Sequence, residues 1–317
     1  MAKIPPIPST TVGAIYAAYE AEREDHRRGH LGASLIGKEC DRALWYDFRW
    51  ASTPQFDGRM LRLFETGNLA EARFVADLRR IGVTVHEVDP ETGGQFRVAD
   101  GGGHFSGSMD GVALGIPEAP KTWHALEFKT HNAKSFDKLK KDGVRKAKPQ
   151  HHAQMQVYMH LTGLTRALYL AVCKDTDELY GERLEHDEGE AVKLIARARR
   201  IVEAARPPER ISSDPAWYLC RFCDHRPTCH AKALPDVNCR SCAWSTPVND
   251  GTWVCDRHEK ILSIGDQKAA CADHRYIPDL VSGVQVDAGE GGSWISYAMH
   301  DGATWTDGRD AKPEPTP

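Results

Sequence analysis

Two charged side chains one residue apart inside an apolar run constrain this chain most: Glu127 and Lys129 in the segment HALEFKT. In a β-strand, residues i and i+2 point to the same side, so the pair faces one way. Asp110, in GSMDGVALGI, ends the preceding strand-like run, and an antiparallel neighbour would deliver it beside them. Two carboxylates on a hard divalent cation leave water and phosphate oxygens to complete an octahedron, which suits Mg2+ or Mn2+. Such an ion neutralises charge growing on a phosphate and lowers the pKa of a bound water; Lys129 would orient that water or meet the phosphate. Taken alone, Glu-x-Lys is a weak signal, because exposed strands often carry it as a surface ion pair.

The surroundings read as an α+β order. Ile15, Tyr16 and Tyr19 predict a helix within 12–29, and Leu63, Phe64, Ala70, Phe74, Val75 and Leu78 predict another over 59–81. Ser34 is a candidate cap for a short helix through SLIGKECDRALWYDF, which sets Cys40 near a helix start beside Arg42. Glycine-rich punctuation from Val83 to Thr130 predicts a β-meander with strands over 93–99, 104–114 and 122–130. Pro149 opens a helix through Leu161, RALYLAVC is a strand, and a charged helix runs from Glu188 to Ala205. No internal repeat is present, and the terminal DAKPEPTP is expected to be disordered.

With these elements in place, GSMD, sixteen further residues and then EFK resemble the core motif of the PD-(D/E)xK nuclease superfamily. Upstream, TGNLAEARF is similar to the helical G-x3-E element of RecB-like and phage exonuclease branches, here Gly67 and Glu71. Downstream, Gln154 and Tyr158 in QHHAQMQVYMHL resemble the Q-x3-Y motif of RecB-like nucleases; at i and i+4 they share a helix face and would both look into the cleft. Met109 stands where the family name has proline. The resemblance implies a restriction-endonuclease-like core, a mixed central sheet flanked by helices, over 1–235. It implies a DNA nuclease whose Mg2+ or Mn2+ is held by Glu71, Asp110 and Glu127, with Lys129, Gln154 and Tyr158 completing the site. An exonuclease or end-processing enzyme of phage or bacterial recombination and repair fits best. The alternatives are a non-catalytic nucleic-acid-binding scaffold, a structure-specific endonuclease and a CRISPR-adaptation nuclease.

Eight of the nine cysteines fall in groups, or can join one, with the spacing of metal ligands. CRFCDHRPTC places Cys220, Cys223 and Cys229, with Cys40 as a distant fourth candidate. Spacing alone leaves zinc, with His225 or His230 as a ligand, and a buried role for Cys40 open. The arrangement is similar to the iron staple of AddB-type and CRISPR-associated nucleases, which implies a [4Fe-4S] cluster on Cys40, Cys220, Cys223 and Cys229. Beyond the linker AKALPDV, residues 236–317 read as a small zinc-binding module: Cys239, Cys242, Cys255 and Cys271 are the favoured ligands, with His258 and His274 as substitutes. The aromatics of SWISYAMHDGATWTDG suggest a short hairpin with a small core of its own, or a surface for stacking bases. Cys173, at the end of an apolar strand, reads as a core thiol.

Charge is distributed unevenly. The chain of 317 residues carries a net −4, against a protein coated in positive charge. Lys129, Lys134, Lys138, Lys140, Lys141, Arg145, Lys146 and Lys148 nevertheless lie together with only Asp137 and Asp142 between them. From Lys134 onward this stripe is a candidate contact for a DNA backbone, or a solvated face. With 41% hydrophobic residues and no apolar run near the roughly 20 residues a membrane helix needs, no membrane association is expected. The first residues lack an apolar signal region, which together with thiol clustering suggests a cytoplasmic protein. No G-x4-G-K-[ST] occurs, so any helicase or annealing partner is a separate polypeptide.

Overall fold

The computed structural model describes residues 10–308 except 24 and 26, so the DAKPEPTP tail lies outside the described residues. The chain runs α1 (Thr10–Ala21), β1 (Leu31–Gly32), α2 (Asp41–Arg49), α3 (Gly58–Arg80), β2 (Thr84–His86), β3 (Arg97–Ala99), β4 (Phe105–Ser108), β5 (Gly111–Leu114), β6 (His124–His131), α4 (Ala133–Ala147), α5 (Pro149–Thr162), β7 (Arg166–Cys173), β8 (Leu179–Glu185) and α6 (Glu188–Glu203). It continues through α7 (Tyr218–Arg221), α8 (Arg226–His230), β9 (Ser245–Pro247), β10 (Trp253–Cys255), β11 (Lys260–Leu262), α9 (Ile264–Ala269), β12 (Gly283–Ala288), β13 (Trp294–Met299) and β14 (Thr304–Gly308).

A mixed five-stranded sheet, in the order β2-β5-β6-β7-β8, organises the first two thirds. Only β6 and β7 are parallel, and the crossover such a pair requires is supplied by α4 and α5. Alternation divides the residues of β6 and β7 between two layers. Leu126, Phe128 and Leu168 pack with Phe74, Val75 and Leu78 of α3 on one face. Ala125, Tyr169, Ala171 and Cys173 pack with Met155, Val157 and Met159 of α5 and with α6 on the other. Helix starts follow local chemistry: the Asp57, Asn132 and Asp187 side chains accept the backbone N–H groups of Met60, Ser135 and Glu190. Pro149 occupies the first turn of α5, and Gly163 ends it with φ 73°.

The expected α+β order is present, with instructive departures. The first helix ends at Ala21 rather than near residue 29. Ser34 lies in a single 3-10 turn, Ala33–Leu35, and the following α-helix waits until Asp41, so Cys40 directly precedes the helix without making a side-chain cap bond. In between, the backbone at Gly37 lies against α5, where an added Cβ would stand 2.5 Å from Gln150 Cα. In α3 only Gly58, Phe74, Val75 and Leu78 are buried; Phe64 is exposed and meets Phe56 edge-on. The strand expected over 93–99 forms a ladder at Arg97–Ala99, with a single bridge from Gln95 to Val88, and that expected over 104–114 is broken. β4 joins β1 and β3 in a separate small sheet, whereas β5 belongs to the central one.

The break falls at Asp110. Met109 N–H donates to Phe96 O, and Gly111 then adopts φ 146° with its backbone pressed on β2. A Cβ at residue 111 would sit 2.6 Å from His86 O, so glycine is required twice over, by conformation and by space. Gly111→Ala is therefore expected to destabilise the protein by roughly 1–3 kcal/mol, read as a lower urea midpoint.

The last third does not stand apart from this core. Trp253, Leu262, Ile277 and Leu280 pack in the same cluster as Trp45 and Phe48. Arg240, fully buried, lies between the rings of Trp50 and Trp253 and donates to Phe48 O and Gly29 O. Beyond it, β12, β13 and β14 form an antiparallel sheet, and Tyr297, Ile295, Tyr276 and Val281 make a small core with Trp305 against it. The predicted hairpin is β13–β14, and its Tyr297 and Trp305 take the core-packing role.

Candidate active site

Register fixes the three predicted groups. β5 and β6 pair Gly111 with Leu126, so the corner residue Asp110 arrives level with Glu127. The Phe128 N–H donates to Asp110 Oδ2 at 2.6 Å, locking that carboxylate onto β6. Glu127 is wholly buried on the α5 side of the sheet. Its Oε1 meets the Lys129 ammonium, and its Oε2 accepts from Gln154 Nε2 at 3.1 Å. Lys129 also donates to Phe128 O at 2.9 Å. Gln154 and Tyr158 share a face of α5 as their spacing requires: Gln154 Nε2 donates to the Tyr158 hydroxyl (2.8 Å), which in turn donates to Ser108 O (2.6 Å). Every one of these bonds is short in space and, apart from the α5 pair and the two contacts of Lys129 with Glu127 and Phe128, long in sequence.

Burial in this wall shifts the acids together. Burial raises the Glu127 carboxyl to about 7; Lys129 opposes the shift, and Asp110 and Glu71 add to it. Asp110 is also raised by burial, against the pull of Lys129 and the Phe128 N–H. Glu71 on α3 is raised by burial and by the Asp110 charge. Burial alone would lower Lys129, but Glu127 and Asp110 outweigh it and hold the ammonium charged. The Asp110 charge raises both Glu71 and Glu127, and Glu71 adds to the Glu127 shift, so three carboxyls around one half-buried ammonium hold excess negative charge once ionised. Oε1 of Glu127, apart from Lys129, has no hydrogen-bond partner. The donor set and the unsatisfied oxygen fit a divalent cation.

Asp110, Lys129, Gln154 and Tyr158 line an open cleft of about 460 Å³. A model of the PD-(D/E)XK nuclease superfamily matches residues 17–230. The chain belongs to this superfamily. No curated protein matches it. Among solved structures it is similar to an alkaline exonuclease from Laribacter hongkongensis, LHK-Exo, at 20% identity over 60% of this chain and 90% of that one (TM-score 0.41). The same exonuclease in complex with dAMP matches at 18% identity over 60% and 90% (TM-score 0.39). SSO0001 matches at 12% identity over 72% of this chain and all of that one (TM-score 0.39).

This PD-(D/E)XK chain builds its cleft from more residues than its motifs mark. Arg28, His30, Gln95, Gln150 and His151 line it as well. None belongs to a periodic pattern or a known spacing; only Gln150 and His151, next to Gln154 in sequence, carried a positional hint. Arg28 donates to Ser34 Oγ and Gln150 to Ser34 O. His151 bonds the Tyr169 hydroxyl, which His131 also meets, and burial lowers both imidazoles, His151 to about 3 and His131 to about 4. They are therefore uncharged at neutral pH.

The basic stripe proves to be helix α4, kinked at Gly143. Phe136, Leu139 and Val144 face inward, and Lys134, Lys138, Lys140, Lys141, Arg145 and Lys146 are exposed. Not all are free: Lys140 pairs with Glu178 and Arg145 with Glu190, each at 3.0 Å, and Lys148 donates to Ser135. Lys134, Lys138, Lys141 and Lys146 are in no ion pair among the described residues.

Both cysteine groups converge. Cys40, Cys220, Cys223 and Cys229 line one small cavity, although 180 positions separate the first two. His225 is not available as an alternative ligand, because its two ring nitrogens meet Ser52 Oγ (2.6 Å) and Asp47 (3.1 Å). Cys239, Cys242, Cys255 and Cys271 line a second cavity with His258 and His274. His274 is engaged by Ser241 Oγ at 3.1 Å, whereas His258 lies 3.6 Å from Cys271 and beside Asp273. Of the two substitutes, His258 is thus the one placed to act. Cys173 is a buried strand thiol.

Proposed function

We propose that the protein is a metal-dependent deoxyribonuclease, an exonuclease or end-processing enzyme of recombination or repair. The carrying observation is the buried Glu127, bound to Lys129 and Gln154, with Asp110 held beside it by the strand break. Glu71, Asp110 and Glu127 would hold Mg2+ or Mn2+, which when bound supplies charge neutralisation at the scissile phosphate and a more acidic water. Lys129 places a fixed positive charge where the attacking water or the phosphate lies. Gln154 and Tyr158 keep the Glu127 carboxylate oriented and wall the cleft toward the scissile nucleotide. Lys134, Lys138, Lys141 and Lys146 on α4 are free to follow a phosphate backbone, with Lys140, Arg145 and Lys148 secondary because each already has a partner.

Four thiolates around each cavity suit soft metals: a [4Fe-4S] cluster on Cys40, Cys220, Cys223 and Cys229, and Zn2+ on Cys239, Cys242, Cys255 and Cys271. No helix among the described residues is long and apolar enough to cross a membrane. The clustered thiols suit a reducing cytoplasm, where the enzyme would work with a separate helicase or annealing protein.

End-labelled linear DNA and circular single-stranded DNA, each incubated with and without Mg2+ or Mn2+, test this reading. Linear substrates should shorten and the circle should survive; cutting of the circle would make the enzyme an endonuclease, and no cutting at all would leave a binding scaffold.

The acid cluster also sets a pH dependence. Glu127 must be ionised to hold a cation, and its carboxyl is raised to about 7. Apparent Mn2+ affinity should therefore fall by up to about tenfold per pH unit below 7 and level off above it, measured by titration at several pH values. In the metal-free protein the same group, raised from its ordinary 4.5, favours the fold in acid and loses that contribution as pH rises through about 7.

A further inference from the structure

Among the described residues, five large aromatics are strongly exposed, and three of them fall within six consecutive positions: Trp217 (45%), Tyr218 (56%) and Phe222 (79%). They flank Cys220 on the segment that closes the first cysteine cavity. Isolated exposed aromatics are common, but a cluster on one short segment that shares its cavity with distant Cys40 is a surface held ready for something. The Trp217 and Tyr218 rings lie 5.1 Å apart, and the Arg221 guanidinium stands 5.3 Å over the Phe222 ring. Arg221 and Arg226 are exposed and in no ion pair among the described residues. From Arg206 to Lys232, Arg206, Arg210, Arg221, Arg226 and Lys232 face Glu209, Asp214 and Asp224, a local excess of positive charge in a chain of net −4.

A short stretch of chain links this ledge to the cleft. The Tyr218 hydroxyl reaches Glu39 at 3.4 Å. Glu39 is four residues from cleft-lining Leu35, a stretch that spans at most about 14 Å. Between them Gly37 packs against Gln150, another cleft residue.

We propose that Trp217, Tyr218 and Phe222, with Arg221 and Arg226, form a stacking ledge for unpaired nucleotides of the DNA that enters the cleft. Aromatic faces take any base by its π-surface, and the arginines take the phosphates between them, so the ledge holds single strands without reading sequence. The proposal rests on the nuclease reading for its substrate, yet binding is measured separately from cleavage.

The test is fluorescence anisotropy of a labelled short oligothymidylate and of a blunt duplex, on the metal-loaded protein without added Mg2+ or Mn2+. Trp217→Ala combined with Phe222→Ala should weaken oligothymidylate binding about tenfold or more for each stacking ring removed, with blunt-duplex affinity unchanged. Trp217→Phe should retain binding, and Arg221→Ala should flatten its salt dependence. Should the double variant fold poorly, Phe222→Ala alone decides, because that side chain is almost fully solvated. Unchanged oligothymidylate affinity would overturn the proposal and give the ledge to a protein partner; equal loss on the blunt duplex would also overturn it. Absence of hydrolysis by the wild type would sink the nuclease reading while leaving this binding result standing.

Discussion

Glu127→Gln and Asp110→Asn should each reduce Mg2+-dependent DNA hydrolysis by on the order of a thousandfold while leaving the fold and the metal content of the cysteine sites intact. The amides are better probes than alanine. Asp110 accepts the buried Phe128 N–H, and alanine would strand that donor at about 1–3 kcal/mol, mixing a folding defect with a chemical one. Asparagine keeps the bond and removes the charge. Glutamine at 127 still fits between Gln154 and Lys129 but cannot serve as an anionic ligand. Lys129→Met removes the positive charge from the cleft, and Glu127, already raised to about 7, can take a proton rather than stay buried and unpaired. Single-turnover cleavage by the three variants at saturating Mg2+ is the measurement, and rates like the wild type in all three would refute the site.

Cys40→Ser should bleach a brown, anaerobically prepared protein, removing its charge-transfer band at about 400 nm, and should lower its stability sharply. Cys40 and Cys220 are 180 positions apart, and in the chain-entropy estimate opening a cross-linked loop of that length loses about 5 kcal/mol. Local structure makes the test clean. Cys40 directly precedes α2 and makes no side-chain cap bond, whereas serine is among the best residues there. Any fall in the urea midpoint therefore comes from lost ligation, not from a damaged helix start. Cys173→Ser is the control: that thiol is buried in β7, away from both cavities, so iron content should not change. A colourless wild type that contains only zinc, or a Cys40→Ser protein as stable as its parent, would rule out the iron staple.

Legibility in the sequence followed the range of the interaction involved. α5, β7 and α6 were readable within a few residues because each is set by local signals: Pro149 at a helix start, a short continuous apolar run, and Asp187 ahead of Glu188 and Glu190. The Gln154–Tyr158 pair was legible for the same reason, since helical repeat alone places i beside i+4. The expected strand over 104–114 looked continuous because its apolar texture runs through Met109 and Val112; only the pressure of β2 on Gly111 shows why it must break. The basic run from Lys134 to Lys148 was visible, but which cations are already taken depended on Glu178 in the β7–β8 turn and Glu190 in α6, both later in the chain.

The sequence by itself determined which acids, lysine and thiols were candidates to act together, and the alternating or helical repeat that points them to one side. Tertiary structure alone decided their company. It recruited Arg28, His30 and His151 to the cleft, set Asp110 at a corner between two sheets, joined Trp253 to the main core, and brought the aromatics around Cys220 to within reach of Leu35. The physical reason is that backbone repeat carries direction along only one element, whereas burial, electrostatic field and cavity shape are sums over every segment that packs against it.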